Sequence, residues 1–571
     1  MTHSNNNTQP PDQHDAHGEA HRERERFFGA TKIIAALTLL SRVFGLVRAM
    51  AIASLGTQAL NDAFAFAFRV PNFFRRLFGE GALAAAFVPV FTEVNERDGH
   101  DAADRLLSNT LSLLLVALTI LAAVMAFGVQ GWLALGDSLG SANRLLAGLV
   151  TVMLPFMVTV CALGLASAAL NCRGHFAYPA WAPVILNVVI IAAAWFVAPL
   201  WKDDLAGKLY VIAASVSVAG LVQLGGAWLL LRRFGYRLRL RLFPIEKPVR
   251  QIVRSMGPML LGLGLLQLVE LLETGLAWTL INRGQGAIEI AGLSLARPLE
   301  PGVLVRLDAA RYLYQFPLGV LANSLAVAAF PLLARYGSRK DWTNLRSAVN
   351  RALRLALMEG LAAGAGLLVL AEPITRLIYV RGGFGRADAA QSARILQAYV
   401  IAMWAYCSYQ ILVRAFYSLK DTLTPLKISV TLMVLELVLV LSLVWHLGPL
   451  AFGITTATVF TLNALTLALL LRRRIGNVGA RSLVTSVARS LLATAAMVGI
   501  IVFLRWVLPD SPALVVSVCV PAGAAVFIAA AWLLRAPELG EMLGSLGRKR
   551  KLDEPPTDAD APTPEGNDNE A

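Results

Sequence analysis

Charge is scarce in this chain. Only 15% of its 571 residues are Asp, Glu, Lys or Arg, 57% are apolar, and the mean hydropathy is +0.61. Soluble domains carry about 25% charged residues, so an ordinary soluble enzyme is excluded. Cysteine is scarce too: Cys161, Cys172, Cys407 and Cys519 are scattered in or near apolar segments. They show neither CxxC nor Cys/His ligand spacing, which removes a disulfide framework and a zinc site and leaves small buried apolar side chains. Missing as well are GxSxG, HExxH and a Walker A loop. The expectation is therefore a non-enzyme with no cofactor, no metal and no ATPase of its own. Any work must come from the membrane potential, a Na+ or H+ gradient, or the substrate's own gradient. Long runs of period-two alternation are absent, which excludes a membrane β-barrel. The first 25 or so residues lack the apolar core and cleavage site of a signal peptide, so the first apolar helix is expected to insert uncleaved.

What is present is a series of long apolar runs, the mark of a polytopic all-α membrane protein. Fourteen spans are expected, at 30–55, 61–94, 107–134, 144–171, 178–200, 207–231, 252–281, 305–334, 346–378, 390–418, 424–446, 449–471, 482–508 and 512–534. Pro71 and Pro317 predict bends in the second and eighth. Basic residues gather before span one (Arg22, Arg24, Arg26) and after the even spans, as in RRFGYRLRLRLFPIEKPVR at 232–250 and RKRK at 548–551. That bias puts both termini in the cytoplasm and accounts for the net charge of +14 without a nucleic-acid partner. The layout expected is a disordered tail (1–28), an N-lobe of six spans (29–234), a basic linker (235–251), a C-lobe of six (252–475), two further spans (480–535) and a disordered tail (536–571). Within the linker, RLRLRLF alternates basic and apolar residues. It reads either as an amphipathic element on anionic headgroups or as a plain basic loop that enforces topology.

The charges that do occur inside apolar runs are the informative ones. An arginine at a helix centre costs about 2.5–3.5 kcal/mol on insertion scales, so such residues face water or protein and mark function by default. Span one carries Arg42 and Arg48. On a helical wheel Ser41, Gly45 and Arg48 share a face, with Arg42 beside it. Span two carries Asp62, Arg69, Asn72, Arg75, Arg76 and Glu80. Asp62, Arg69, Arg76 and Glu80 fall on one face, Pro71 redirects Asn72 and Arg75 toward it, and Arg76 and Glu80 are spaced to pair. Spans seven and eight add Gln267, Glu270, Glu273, Arg306, Asp308 and Arg311. A chamber dense in guanidinium groups suits an anion, and phosphate above all, because the planar fork engages two oxygens and keeps its proton.

SRVFGLVRAMAIASLG and NDAFAFAFRVPNFFRRLFGEGALAAAFVPVFTE at the start resemble the opening of the MurJ/MviN proteins, lipid II flippases of the MOP superfamily. LNCRGHFAYPAWAPVILNVV (170–189), YQFPLGVLANSLAVAAFPLL (314–333) and RAFYSLKDTLTPLKISV (414–430) extend the resemblance over nearly all of the membrane part. It implies fourteen helices in two lobes around a central cationic cavity, with the last two spans forming a groove for a polyprenyl tail. It implies alternating access that carries the lipid II headgroup outward across the bacterial cytoplasmic membrane. Ser41, Arg42, Arg48, Asn72 and Arg75 would line the cavity. Asp62, Arg76 and Glu80 would be gating or structural charges, and Glu273 would mark the cation site associated with some relatives. Span eight departs from the pattern: Arg311 stands six residues before Pro317, Tyr312 occupies the usual arginine position, and Gln315 replaces an acid. Arg311 is expected to reach the cavity nonetheless. The implied partners are lipid II, membrane lipids and proteins of cell-wall synthesis. Three rival functions stay open: a flippase for another polyprenyl-pyrophosphate glycan, a drug or cation antiporter, and a scaffold that recruits cell-wall enzymes.

Overall fold

The computed structural model describes residues 36–135, 140–284, 286–290 and 293–540. The tail 1–28 and residues 541–571 lie outside that set. The chain is a bundle of long helices: α1 (Ala36–Ala53), α2 (Ala59–Phe74), α3 (Leu83–Arg97), α4 (His100–Leu135), α5 (Ser141–Cys172), α6 (Ala177–Ala192), α7 (Leu205–Arg233) and α8 (Lys247–Leu280). After a short hairpin come α9 (Val303–Val320), α10 (Ala322–Ser338), α11 (Trp342–Tyr379), α12 (Arg386–Val400), α13 (Met403–Ser418), α14 (Leu423–Leu447), α15 (Leu450–Ile475), α16 (Ala480–Val507) and α17 (Pro512–Leu533). Helices are the only open-ended elements that satisfy every backbone group in hydrocarbon. Among the described residues, twelve are long and apolar enough to cross a bilayer, or thirteen when α12 and α13, bent by 45°, count as one span. The fourteenth expected span, 252–281, falls on α8, a continuous 34-residue helix outside that count. The molecule is a multi-pass membrane protein.

Several expectations are corrected. Pro71 does not break span two. The α-helix runs through it to Phe74, and the register changes at Arg75, where a π-helical stretch (Arg75–Ala82) leads into α3. A π turn widens the helix by one residue and rotates everything after it, so the single face drawn through Asp62, Arg69, Arg76 and Glu80 does not persist. In span eight the break falls at Leu321, four residues past Pro317, and separates α9 from α10. The all-α expectation omitted a small antiparallel hairpin in the loop after α8, β1 (Ile288–Ile290) with β2 (Leu293–Leu295), in register Ile288 to Leu295. Residues 536–540, expected in the tail, pack back on the bundle: Glu538 is buried and pairs with Arg354 on α11 at 3.4 Å.

Helix α2 holds the two halves together. It packs on α5 on one side and on α8 and α9 on the other. Its buried Asp62 is the pivot. The carboxylate accepts from the backbone N–H groups of Gly302 (2.6 Å), Leu304 (2.9 Å) and Val305 (3.3 Å), so a residue of one half caps the first turn of α9 in the other. An anion there satisfies orphan donors and complements the helix dipole. Around it the seal continues. Gly383 donates its N–H to the Ser54 carbonyl (2.7 Å), and Asp388 accepts from Thr57 Oγ1 (2.8 Å) and from buried Arg306 (3.1 Å). Close approach needs glycine here: Gly302 has φ +85° and Gly382 φ +56°, and a Cβ at either would collide with the carbonyl oxygen of Thr57 or Ser54.

Asp62→Ala would leave three buried backbone donors unmatched. Each unsatisfied group costs about 1–3 kcal/mol, so a marked fall in melting temperature of the purified protein is expected, with Asp62→Asn milder. Gly302→Ala is expected to open the same seal, read as faster thiol labelling of Thr57→Cys. Unchanged melting and labelling would show that this junction is not closed by these contacts.

Candidate functional site

Five of the residues singled out from the sequence meet in one place. Ser41, Arg42 and Arg48 of α1, with Asn72 of α2 and Arg75 at the start of the π stretch, line a cavity of about 500 Å³. That lies within the range of ordinary ligand pockets, about 300–1,000 Å³. Arg76 reaches the same cavity, and α5, α6 and α7 supply its far wall, including Asn171, Asn187 and Gln223. Its lining includes four guanidinium groups and no carboxylate. Among the described residues neither Arg42 nor Arg48 forms an ion pair. Arg48 instead donates to the Tyr312 hydroxyl (2.8 Å) and stacks over Phe68, 5.1 Å from its ring centre. The Arg42 guanidinium lies against Gly319 of α9, where any side chain would collide with it. Arg75 Nε donates to Asn72 Oδ1 (2.7 Å), which fixes one end of its fork.

The local sequence explains this placement. The i, i+4, i+7 spacing of Ser41, Gly45 and Arg48 keeps them on one face of α1. Gly45 lets Asn187 of α6 approach and donate to the Ser41 carbonyl at 3.2 Å. Asn72 and Arg75, three apart, end up on one side because α-helical geometry holds as far as Phe74.

A second, smaller chamber of about 100 Å³ adjoins the first and shares Arg48, Asn72, Arg76 and Tyr312 with it. Its electrostatics are opposite in kind, because each arginine has a carboxylate. Arg69 bridges Glu270 (3.0 Å) and Asp308. Arg76 binds Glu270 and Gln267 (3.1 Å). Arg311 donates to Glu273 (2.8 Å) and to Tyr399 (3.0 Å). The pairing expected between Arg76 and Glu80 is replaced by this contact across to α8; the Glu80 side chain itself lies outside the described residues. Arg311 reaches the small chamber and not the large one, whose edge carries Tyr312. The one-residue offset before Pro317 thus exchanges a free guanidinium for a phenol. At the expected cation position, Glu273 is engaged by Arg311. Asp62 lines neither chamber and serves in the seal.

Sequence reading missed Tyr312, Asn187 and Tyr399 as site residues, and Asp388 in the seal. Each is an uncharged residue, or an acid in a loop, with no periodic signal of its own. Only the offset before Pro317 pointed at Tyr312.

Comparison with known proteins places these observations. Residues 51–517 match the model of the family described as Lipid II flippase MurJ. The chain is 30% identical over 543 residues to the probable lipid II flippase MurJ of Rhizobium tropici, covering 92% of this chain and 97% of that protein. It is 31% identical over 465 residues to the lipid II flippase MurJ of Burkholderia cenocepacia, covering 78% and 84%. The fold is similar to a solved lipid II flippase MurJ in an inward closed conformation (TM-score 0.72, 19% identity, 89% of this chain and 99% of that one). It is also similar, at TM-score 0.61 and 15% identity, to an inward-facing multidrug resistance MATE family transporter of the MOP superfamily, over 78% and 98%.

The small chamber yields a double-mutant test. Arg311→Met alone strands the Glu273 carboxylate and is expected to cost about 3–5 kcal/mol, seen as a large fall in melting temperature. Arg311→Met with Glu273→Gln should recover most of that loss. Simple additivity of the two changes would mean that the pair is not coupled.

Proposed function

Because this chain belongs to the lipid II flippase MurJ family, we propose that it moves lipid II from the inner to the outer leaflet of the bacterial cytoplasmic membrane, as a transporter and not a catalyst. The observation that carries this reading is the 500 Å³ cavity with four arginines and no acid on its wall. Lipid II joins a long polyprenyl tail to a sugar–peptide head through a pyrophosphate. Unaided flipping would drag that dianion and many polar groups through hydrocarbon, where each isolated charge is heavily penalised. Arg42, Arg48 and Arg75 offer it charge-assisted hydrogen bonds in place of water, at a depth where weak screening strengthens the attraction. Asn72, Asn187 and Gln223 offer neutral donors and acceptors to adjoining sugars. The tail stays in the bilayer, and the apolar helices α16 and α17 suit a groove along which it slides.

Alternating access follows from the asymmetry between the two ends of the bundle. With both termini in the cytoplasm, as the Lys/Arg loop bias argues, the Asp62 seal lies on the outer side. It would open for release while the lobes rock about α2. Binding energy from the pyrophosphate and the dissipation of a membrane potential or a Na+ or H+ gradient would bias the exchange. The paired carboxylates near Arg311 are the coupling groups this reading favours.

A drug or cation antiporter fits this wall badly, since unneutralised guanidinium groups repel a cationic substrate. A flippase for another polyprenyl-pyrophosphate glycan shares the phosphate chemistry and differs only in the glycan. In a strain depleted of its native flippase, the chain is expected to restore growth and to expose newly made lipid II to an external probe. Arg42→Ala and Arg48→Ala each remove about 1.5–3 kcal/mol of charged hydrogen bonding and are expected to lower transport about 10- to 100-fold with normal membrane insertion, Lys substitutions falling between. Full transport by both alanine variants, or rescue of a different glycan lipid alone, would overturn the assignment.

A further inference from the structure

A second concavity faces away from the transport path. Its volume is about 380 Å³ and its wall is almost entirely apolar, with Leu111 and Leu115 of α4, Leu221 and Trp228 of α7, and Leu238 and Arg239 of the segment that follows α7. That segment is neither a helix nor a free loop. The backbone N–H groups of Arg237, Arg239 and Arg241 donate to Asp104 Oδ1 (2.9 Å), Ser108 Oγ (3.3 Å) and Ser112 Oγ (3.0 Å). Asn109 clasps the Pro244 carbonyl at 2.7 Å. Acceptors four apart on a helix advance about 6 Å, and alternate residues of an extended chain advance about 6.7 Å. The two periods match closely enough for the strand to lie along α4. This docking sets Leu238 and Leu240 as one wall of the slot and holds Arg237, Arg239 and Arg241 exposed at its rim. Arg232 completes the rim, its guanidinium 4.6 Å above the Trp228 ring.

We infer that this slot binds one anionic glycerophospholipid of the leaflet on the linker's side, an acyl chain between α4 and α7 and the headgroup phosphate against the linker arginines. The dimensions support a lipid. From Leu221 to Arg233, α7 rises about 18 Å, close to half of a hydrocarbon core of about 30 Å. The apolar part therefore spans one leaflet and the arginines stand at headgroup level. One turn of a helix 10 Å across already fills about 420 Å³, so the slot is too small for a partner helix and suits a flexible chain. The charge is one-sided: the acid in this contact, Asp104, is engaged by the Arg237 amide. Leu240 and Phe243, each 81% exposed, lie on the same strand, which suits a segment resting on the membrane interface. None of this depends on what the large cavity carries.

Gly225 of α7 supplies a clean test, because it lines the slot and a Cβ there meets no atom within 4 Å. Gly225→Phe therefore fills the slot without disturbing the packing, and melting temperature with lipid II transport confirms an intact protein. The full chain would be reconstituted in vesicles of equal phosphatidylglycerol and phosphatidylcholine, extracted, and its retained lipids counted by native mass spectrometry. Wild type is expected to keep one tightly held phosphatidylglycerol in preference to phosphatidylcholine. Gly225→Phe is expected to lose it. Each of R237Q, R239Q and R241Q should lower the preference about fivefold. Equal retention of the two lipids by wild type, an unchanged count in Gly225→Phe, or displacement of phosphatidylglycerol by added undecaprenyl phosphate would overturn the inference.

Discussion

A guanidinium group that has no carboxylate cannot rest in hydrocarbon, and the architecture of this protein is organised around that constraint. Arg42 and Arg48 sit in α1 without an ion pair among the described residues, and they are tolerable only because α5, α6 and α7 stand off from α1 and leave a space of about 500 Å³. The contrast with the adjoining chamber is what gives the arrangement meaning. There Arg69, Arg76 and Arg311 are met by Glu270, Asp308 and Glu273. Such pairs hold helices in register at roughly zero net electrostatic gain, and they leave no charge over for a ligand. One set of arginines is structural and the other is available, and the boundary between them runs through Arg48, Arg76 and Tyr312.

The two halves communicate through α2. The same helix supplies the capping carboxylate Asp62 at the seal, the structural cation Arg69 in the small chamber, and Asn72 at the large cavity. Rotation of α2 against α9 would therefore move the seal and the cavity wall together, with no separate relay between them. The π stretch that begins at Arg75 lies where such a helix can yield, since a wide turn holds its hydrogen bonds less firmly than an α turn.

Much of this was legible in the chain itself. Charges inside long apolar runs identified Ser41, Arg42, Arg48, Asn72 and Arg75, and the structure brings all five to one cavity. The all-helical membrane architecture followed from run length alone. What escaped is what periodicity cannot encode. Pro71 predicted a break that the helix does not make, because the register shift is delayed to the glycine-containing stretch after Arg75. Arg311 and Tyr312 differ by about 100° on a wheel, and that single step sends the cation to Glu273 and the phenol to the substrate cavity. Asp388 gave no signal at all, since its role depends on a loop folding back to Thr57 and Arg306. Two alternating segments, IEIAGLSL and RLRLRLF, carried a period-two signal, and both are extended, one as a hairpin and one laid along α4.

The account stands on the large cavity being wet and positively charged, and thiol reactivity measures both properties at once. In a cysteine-free background, Gly45→Cys faces the cavity and Val43→Cys, 44% exposed on the same helix, faces outward. Charged thiosulfonates are predicted to modify position 45 and not position 43, with the anionic reagent faster than the cationic one. Removing Arg42 or Arg48 should erase that anionic advantage. Equal labelling at both positions, or a faster cationic reagent at position 45, would contradict a hydrated anion site.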